Sequence, residues 1–293
     1  MRDATLKTGV LGLGAMGTGM AWNLYRQGFL VAVWNRTPSR AEPFVGQKGI
    51  RVAGSPEELA RCELIITCVS RDVDVKQAIS AMLPGFAAGT IVADTSTINA
   101  ATARELAAQL GARGVEFLDC PVSGGVEGAR QGTLAMMVGG DAGALERARP
   151  ALAAIARRIV HMGGSGSGQA TKAVNQIMAA GINQAVTEAL AFGEAMGLPM
   201  DKVLEVVGSG AAANWFLEHR GKSMLEGRFS PGFKVSLHHK DLSICREMAK
   251  ARNAALLSVT ETTFKDYERL MEQGYGQEDI SALFRVKQSA YKK

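Results

Sequence analysis

The chain has 293 residues, a formal net charge of +5, 47% hydrophobic residues and 21% charged residues. This composition is typical of a well-packed globular protein of about two domains, and it excludes a mainly disordered chain. Because the sequence has no run of Lys and Arg with interleaved aromatic residues, the basic balance predicts a surface that collects small anions, and no nucleic-acid partner.

The spacing of the cysteines and the length of the apolar segments indicate the cellular compartment of the protein. The four cysteines lack CxxC pairs and neighbouring His residues in metal-ligand order, which predicts no disulfide framework, no metal site and a reducing cytoplasm. Neither a signal peptide nor a membrane span is expected, because no segment has the required apolar length. The cysteines are Cys62, Cys68, Cys120 and Cys245.

The first half of the chain alternates short β-branched runs with helical patterns. Ser55-Pro-Glu-Glu58, for example, combines an N-cap serine, a proline at the first helical position and a capping-box glutamate. This alternation predicts a doubly wound, mostly parallel sheet with right-handed crossovers over residues 1–164. The predicted strands are 8–11, 30–34, 64–69, 91–94 and 115–119, with two more near 134–138 and 158–161.

The sequence pattern changes from alternating strands and helices to helices alone after the glycine-serine segment 163–168. A long helical pattern rich in Ala, Met, Ile and Val covers 169–196, and no strand pattern follows it. We therefore expect an all-helical second domain over residues 165–293, joined to the first by a long helix. Further helices are predicted near 201–207, 214–225, 237–252 and 258–273.

A glycine-rich turn follows the first predicted strand and opens a predicted helix: Gly12-Leu-Gly-Ala-Met-Gly17. In a dinucleotide site, Gly12 permits the tight turn, Gly14 permits close approach of the pyrophosphate, and Gly17 permits close packing of helix on strand. The phosphate charge would lie at the helix N-terminus, where free N–H groups favour an anion. The alternative is a purely structural glycine turn.

Three further segments contain polar residues that are candidates for substrate binding or catalysis. Asp119-Cys-Pro-Val-Ser-Gly-Gly125 could cradle a carboxylate, although by itself an ordinary turn is favoured. Lys172 and Asn175 share a helix face among apolar neighbours, so the lysine is either a surface side chain or a desolvated acid/base; spacing alone favours the former. In the segment His238-His-Lys-Asp241, consecutive His residues point to different helix faces, so no metal site is expected.

Taken together, these segments resemble the β-hydroxyacid dehydrogenase family, which includes 3-hydroxyisobutyrate dehydrogenases, tartronate semialdehyde reductases and glyoxylate/succinic semialdehyde reductases. The resemblance covers nearly the whole chain and implies an α/β Rossmann domain followed by an all-α domain. It also implies a homodimer or homotetramer. Its motifs, in order, are 12–17, Asp94-Thr-Ser-Thr97, 119–125, Gly132-Thr-Leu, Gly168-Gln-Ala-Thr-Lys-Ala-Val-Asn175 and Lys240-Asp241.

The resemblance assigns roles to particular residues. It implies that Lys172 is the catalytic acid/base, that Asn175 orients the substrate, and that Thr97 bridges cofactor and substrate. Ser123, with the backbone amides of Gly124 and Gly125, would hold the substrate carboxylate. The implied cofactor-binding set is Gly12, Leu13, Gly14, Ala15, Met16, Gly17, Asn35, Arg36, Thr37, Val69, Ser70, Thr97, Lys240 and Asp241.

Some positions depart from related patterns or leave specificity open. Cys120 stands where the family usually has Ala; Val174 disfavours the 6-phosphogluconate dehydrogenases, and Lys172 disfavours the imine reductases. Aromatic and basic residues occur where family members line the substrate pocket, and we take Trp215 and Phe233 as pocket walls, with ordinary helix packing as the alternative. The pocket set is Trp215, Phe216, His219, Arg220 and Phe233.

The end of the second predicted strand indicates the cofactor. An acid there would hydrogen-bond the ribose 2′-OH, but this chain has Asn35, Arg36 and Thr37 instead. The guanidinium of Arg36, helped by Arg40, offers a planar cationic fork for a 2′-phosphate. NADP is therefore predicted, with NAD as a possibility since some relatives accept both.

Three functions follow from these motifs. The leading one is an NADPH-dependent reductase of a small aldehyde acid such as succinic semialdehyde, glyoxylate, or a methylmalonate or tartronate semialdehyde. The second is an NAD(P)⁺-dependent dehydrogenase of 3-hydroxyisobutyrate, 3-hydroxypropionate or serine. The third, from another class, is a non-catalytic cofactor-binding or chromatin-associated module.

Overall fold

The computed structural model describes residues 6–253 and 257–291. The chain divides into two compact units, the first ending at Lys172 and the second beginning at Ala173. This division falls inside the long helix α7 (Ser167–Ala195). The domain boundary predicted at residue 164 lies in the loop just before that helix.

Short apolar runs form the strands of the first unit, and three of these strands are buried along their whole length. The run predicted to end at Val69 leaves the sheet after Thr67. Two strands of two residues each were not predicted, because such short segments carry no periodic pattern. The strands are β1 (Thr8–Leu11), β2 (Leu30–Trp34), β3 (Arg51–Val52), β4 (Leu64–Thr67), β5 (Ile91–Asp94), β6 (Glu116–Asp119), β7 (Val122–Ser123), β8 (Leu134–Gly139) and β9 (Ala156–Gly163).

The sheet has the predicted, mostly parallel topology. Its strand order is β3-β2-β1-β4-β5-β6-β8-β7, and β9 also pairs with β8. The strands from β3 to β6 in this order are parallel, whereas β8 runs antiparallel to β6 and β7. The order reverses direction between β1 and β4, and doubly wound sheets bind ligands at the carboxyl ends of the strands at such a point.

Helices cover both faces of this sheet. Neighbouring residues of one strand belong to opposite faces: Val10 packs with Met20 and Leu24, whereas Leu11 packs with Val75 and Ile79. This division follows from the alternation of side chains along a strand. The helices of the first unit are α1 (Ala15–Arg26), α2 (Pro56–Leu59), α3 (Asp72–Met82), α4 (Ala100–Gly111), α5 (Gly125–Gln131) and α6 (Ala142–Leu152), with 3₁₀ turns at Pro38–Phe44 and Leu83–Gly85.

The second unit is helical, as predicted. An apolar core around Tyr267, Phe284 and Leu242 holds its helices together. The predicted helix bounds lie within two residues of the observed ones, and a short final helix was not predicted. Besides the second part of α7, the helices are α8 (Met200–Ser209), α9 (Trp215–Leu225), α10 (Val235–Lys250), α11 (Ser258–Glu272) and α12 (Leu283–Ser289), with 3₁₀ turns at Tyr275–Gln277 and Ile280–Ala282.

Candidate active site

The glycine-rich turn between β1 and α1 has the backbone that a dinucleotide site requires. Gly12 has a φ of +98°, and a side chain there would collide with the carbonyl of Cys68. A side chain on Gly17 would collide with the carbonyl of Gly12, whereas the space beside Gly14 is open to 4 Å. Since Gly14 is the N-cap of α1, an anion at this open position meets the positive end of the helix. The residues therefore fit a bound NAD(P).

The segment after β2 braces this turn. Asn35 accepts a hydrogen bond from the backbone N–H of Leu13 at 2.8 Å and donates to the carbonyl of Thr37 at 2.9 Å. Arg36 is 78% exposed, and its Nη1 lies 3.3 Å from Asp74 Oδ1 on α3. Asn35 thus supports the backbone of the turn, and Arg36 is a cationic side chain that remains accessible from solvent.

The loops that follow β4 and β5 are linked to the start of α7. Ser96 Oγ accepts from the backbone N–H of Val69 at 3.0 Å. Gln169 Nε2 donates to the carbonyl of Ser96 at 2.8 Å, and its Oε1 accepts from the backbone N–H of Ile98 at 3.1 Å. Gln169 therefore fixes both neighbours of Thr97, which connects the predicted bridging residue to the helix that carries Lys172.

Asp119, at the end of β6, binds the first turn of α7. Its Oδ1 accepts from the N–H of Gly166 at 2.7 Å and its Oδ2 from the N–H of Gln169 at 2.9 Å. Burial raises the pKa of Asp119, although these backbone N–H groups oppose the rise. An acidic group at a helix start also compensates the helix dipole, so Asp119 anchors the helix that positions Lys172.

The ammonium of Lys172 is buried, with 7% of the residue exposed. Its Nζ donates a hydrogen bond to the carbonyl of Val122 at 2.8 Å. The surface-lysine alternative is therefore wrong. The next residues, Ser123, Gly124 and Gly125, form the predicted carboxylate turn, and both glycines have the positive φ that side chains disfavour, at +129° and +63°.

Asp94 is a second buried carboxyl at the ends of the strands, directly opposite Asp119 in the sheet register. Its Oδ1 accepts from Thr67 Oγ1 at 2.6 Å and from the N–H of Ser96 at 3.2 Å. Burial raises the pKa of Asp94 to about 6; these hydrogen bonds lower it, and the Asp119 charge adds to the rise. Its buried Oδ2 has no hydrogen-bond partner among the described residues.

In the second unit, Asn175 and the Lys240–Asp241 pair are connected through Gln176. Asn175 Nδ2 donates to Gln176 Oε1 at 2.8 Å, and Gln176 Nε2 donates to Asp241 Oδ2 at 2.7 Å. Asp241 Oδ1 lies 2.7 Å from Lys240 Nζ. Three predicted site residues of this unit therefore form one polar chain on α7 and α10.

The predicted pocket residues of α9 have different environments. Trp215 is 61% exposed, and its ring stacks on His219 with a centroid distance of 4.2 Å. Phe216 is buried in the core of the unit. The guanidinium of Arg220 is engaged by Asp279, with Nε and Oδ1 at 2.7 Å. Trp215 and His219 therefore present accessible rings, whereas Phe216 packs in the interior and Arg220 holds a buried carboxylate.

Asp279 also fixes the backbone at Phe233. Its Oδ2 accepts from the N–H groups of Gly232 and Phe233 at 3.0 and 2.9 Å. Burial raises the pKa of Asp279, but the hydrogen bond and charge of Arg220, helped by backbone N–H groups, outweigh burial and hold that pKa below its usual value. The ring of Phe233 lies 5.2 Å from that of His238 between centroids.

The two histidines of the 238–241 segment have separate surroundings, as expected for consecutive positions of a helix. His238 is buried between Tyr267 and the carbonyl of Gln176. His239 stacks on Phe264 with a centroid distance of 3.9 Å, and burial lowers its pKa. Within residues 6–253 and 257–291, no three His, Cys, Asp or Glu side chains are grouped to hold a metal ion.

Several supporting residues were not predicted individually. Asp119, Ser96 and Gln169 lie inside quoted motifs and Gln176 directly follows one, but their roles depend on hydrogen bonds between distant segments. In the sequence, such supporting residues could be recognised only as polar residues inside or next to a motif. Of the predicted set, the first unit carries the residues up to Lys172, and the second carries Asn175, Trp215, Phe233, Lys240 and Asp241.

Both parts of the chain match known protein families. Residues 7–164 match the NAD-binding domain of 6-phosphogluconate dehydrogenase, and residues 166–287 match the domain described as NAD-binding of NADP-dependent 3-hydroxyisobutyrate dehydrogenase. The chain is thus an oxidoreductase with a dinucleotide-binding domain. It belongs to the β-hydroxyacid dehydrogenase family, whose members use NAD(P).

Individual relatives span nearly the whole chain. An uncharacterized oxidoreductase of Shewanella frigidimarina is 38% identical, covering 94% of this chain and 96% of its own. The 2-hydroxy-3-oxopropionate reductase of Escherichia coli is 34% identical, covering 95% and 96%. The solved 3-hydroxyisobutyrate dehydrogenase of Mycobacterium tuberculosis with L-serine superimposes with a TM-score of 0.87 at 32% identity, covering 97% and 99%.

Proposed function

We propose that this protein is an NADPH-dependent reductase of a small aldehyde acid, with Lys172 as its acid/base. The observation that carries the proposal is the buried ammonium of Lys172, hydrogen-bonded at 2.8 Å to the carbonyl next to Ser123. A buried lysine beside a turn suited to a carboxylate places a proton donor next to a carboxylate site, and reduction of an aldehyde acid uses both.

The chemistry that a bound nicotinamide supplies is hydride transfer to the substrate carbonyl carbon. Lys172 donates a proton from Nζ to the carbonyl oxygen, and in the reverse direction the neutral amine accepts the proton of the hydroxyl. Asn175, three residues further along α7, orients the same oxygen. Thr97, held on both sides by Gln169, bridges cofactor and substrate.

The carboxylate of the substrate is held by Ser123 and the backbone of Gly124 and Gly125. The positive φ of both glycines exposes backbone in a conformation that a β-carbon would obstruct. Trp215 and Phe233 wall the remainder of the substrate, and their aromatic surfaces suit the methylene groups of a semialdehyde.

Two relatives bear on the direction of the reaction. The E. coli relative is a reductase of 2-hydroxy-3-oxopropionate, which is itself an aldehyde acid, and this favours reduction. The M. tuberculosis relative is a 3-hydroxyisobutyrate dehydrogenase solved with L-serine, and it supports the second candidate, oxidation of a β-hydroxyacid. Both reactions use the same residues.

NADP is the proposed cofactor, with NAD as the alternative. The exposed guanidinium of Arg36 supports NADP because it can form charge-assisted hydrogen bonds with a 2′-phosphate. Lys240 adds a further cofactor contact, aligned by Asp241. The proposed compartment is the cytoplasm.

We also propose a homo-oligomer that assembles through α7. An exposed stripe runs along this helix in steps of four and three residues, as in the seam of a coiled coil. A second copy carries the same stripe, so two copies can bury it symmetrically. The stripe comprises the exposed residues Met178, Ala185, Ala189 and Phe192, the partly buried Ile182, and Met196, which directly follows the end of α7. In the described segments, no helix has the length and apolar character that a bilayer span requires.

A substrate panel tests the proposed function. Oxidation of NADPH and NADH is followed with succinic semialdehyde, glyoxylate and tartronate semialdehyde, and reduction of NADP⁺ and NAD⁺ with 3-hydroxyisobutyrate, 3-hydroxypropionate and serine. We expect the highest kcat/KM with NADPH and one of the aldehyde acids. The highest value with a hydroxyacid would favour the second candidate, and binding of dinucleotide without turnover would favour the non-catalytic module.

A further inference from the structure

Gln176 follows Asn175 on α7, and only 2% of the residue is exposed. Its carboxamide makes two hydrogen bonds of opposite sense, accepting at Oε1 from Asn175 Nδ2 and donating from Nε2 to Asp241 Oδ2, at 2.8 and 2.7 Å. Its backbone carbonyl accepts from His238 Nε2 at 3.2 Å. A single buried side chain therefore connects Asn175 to a carboxylate on another helix.

We propose that Gln176 is a positioning residue that fixes the carboxamide of Asn175, the group that orients the substrate in the proposed function. The inference rests on the proposed function, because it concerns the group that orients the substrate. Gln176 itself has no contact with the substrate; it acts through Asn175.

The orientation follows from donor and acceptor chemistry. The Asp241 carboxylate, paired with the Lys240 ammonium, can only accept, so Gln176 must direct its NH₂ group toward Asp241. The oxygen of Gln176 then faces Asn175 and can likewise only accept. Asn175 must therefore direct its NH₂ toward Gln176, and its Oδ1 points away from this partner. Reversing either amide would bring two acceptors face to face in a buried site.

With its carboxamide fixed, Asn175 has a second N–H that can donate to the carbonyl oxygen of the substrate, and its Oδ1 can accept from the O–H of the hydroxyl form. Because the alignment originates at Asp241, the Lys240–Asp241 pair and the substrate-orienting amide are set by one chain of hydrogen bonds. Loss of Gln176 should therefore misorient Asn175 without removing any group from the site.

Two substitutions separate positioning from simple packing. Gln176→Met keeps the volume and removes both hydrogen bonds. In Gln176→Glu, the protonated acid reproduces both bonds, since its O–H donates to Asp241 and its C=O accepts from Asn175. The ionised acid cannot donate, and it faces the carboxylate of Asp241. At low pH the two carboxyl groups therefore share a proton, whereas at high pH both are charged and repel each other.

The same helix offers a matched control, because an Asn-Gln pair recurs at Asn183-Gln184. Gln184 is also buried, and its Nε2 donates to a carboxylate oxygen, Asp266 Oδ2, at 3.0 Å. Asn183, however, donates to Tyr267 and to the carbonyl of Ile280. Gln184→Met and Gln184→Glu therefore disturb an equivalent buried pair that has no part in the proposed chemistry.

The experiment measures kcat/KM of the wild type and the four variants over a pH series, with the best substrate of the panel. We expect Gln176→Met to lose about 10- to 100-fold at every pH, as for a small misplacement of a reacting group. The activity of Gln176→Glu relative to wild type should rise as pH falls. The Gln184 variants should lower the melting temperature and leave the pH profile unchanged.

Wild-type values for both Gln176 variants, or an equal and pH-independent loss in both, would overturn the inference while the proposed function stands. If Gln176→Met does not fold, the pH series of Gln176→Glu carries the test. If the wild type turns over no substrate, the proposed function fails, and the side-chain amide NMR signal of Asn175, assigned by its loss in Asn175→Ala, tests the network. It should shift in Gln176→Met but not in Gln184→Met; an unchanged signal would overturn the inference.

Discussion

The Nζ of Lys172 donates to the carbonyl of Val122 at 2.8 Å, and Val122 immediately precedes Ser123. The end of the first unit and the turn after β7 are thus joined through the side chain that the sequence motifs indicate as an acid/base. A substrate whose carboxylate is held by the 123–125 turn would have its carbonyl within reach of a proton donor.

Arg36→Ala should raise the KM for NADPH by about 10- to 100-fold, the range of a charge-assisted hydrogen bond. The KM for NADH should change little, because a ribose 2′-OH needs no cation. Steady-state kinetics with both cofactors measure the two values. Arg149→Ala, which removes an arginine with its own carboxylate partner on α6, serves as control, and equal changes for both cofactors would refute the role of Arg36.

Asp74→Asn should shift preference further toward NADPH. The carboxylate of Asp74 lies 3.3 Å from Arg36, where it competes with a phosphate for the guanidinium and repels the phosphate charge. Since the pair is exposed, we expect a change of only about two- to fivefold in the NADPH-to-NADH ratio of kcat/KM. A shift toward NADH would instead indicate that Asp74 holds Arg36 in its binding position.

Asp94→Asn should remove a pH dependence of stability. The pKa of Asp94 is raised from its usual 3.8 to about 6 in the folded protein. A carboxyl with a raised folded-state pKa stabilises the fold below about pH 4, and this contribution is lost as pH rises through 6. We expect the wild type to lose up to about 3 kcal/mol of unfolding free energy between pH 4 and 7, relative to the variant.

Urea unfolding of both proteins over this pH range measures the difference. Asp201→Asn, at an exposed position in the first turn of α8, is the control and should follow the wild type. Parallel curves for wild type and Asp94→Asn would mean that Asp94 is ionised to the same extent in the folded and unfolded chains.

Trp215→Ala and Phe233→Ala should alter selectivity among semialdehydes of different length. The exposed indole of Trp215 and the Phe233 ring offer apolar area, and a methylene group in such a pocket is worth about 10-fold or more in kcat/KM. The ratio of kcat/KM for succinic semialdehyde to that for glyoxylate measures the effect, with Trp215→Phe as a conservative control. Unchanged ratios in both Ala variants would assign these rings to packing.

Phe192→Glu should weaken the proposed association through α7. Phe192 is 52% exposed near the C-terminal end of the stripe, and a buried symmetric contact would bring two carboxylates together. Light scattering across a concentration series measures the mass. Val45→Glu, a similar change at an exposed position of the first unit, should retain the wild-type mass. A monomeric wild type would contradict the proposal.

Much of the fold could be predicted from the sequence, because its local patterns are strong. β1, β2 and β5 have the predicted bounds, since buried strands of a parallel sheet are continuous β-branched runs ended by polar or glycine residues. The strands β3 and β7 have two residues each, and their pairing depends on neighbours distant in sequence. Such strands lack the local pattern that would identify them.

The site was predictable as motifs but not as a network. The sequence indicated Lys172 and Asn175, yet spacing alone favoured an exposed lysine, and only the hydrogen bond to Val122 and its burial decide otherwise. Asn35 was expected among the cofactor contacts, and the structure gives its carboxamide a bracing role toward Leu13 and Thr37. These partners lie on different elements, so the sequence could not indicate them.

The central claim is that Lys172 performs the proton transfer, and Lys172→Ala tests it most directly. Single-turnover hydride transfer and NADPH affinity, by fluorescence titration, are measured on the same preparation. We predict that the transfer rate falls by about 10²- to 10⁴-fold, the usual contribution of a general acid/base, while the Kd for NADPH changes by less than about threefold. An unchanged transfer rate in a folded, NADPH-binding variant would contradict the account.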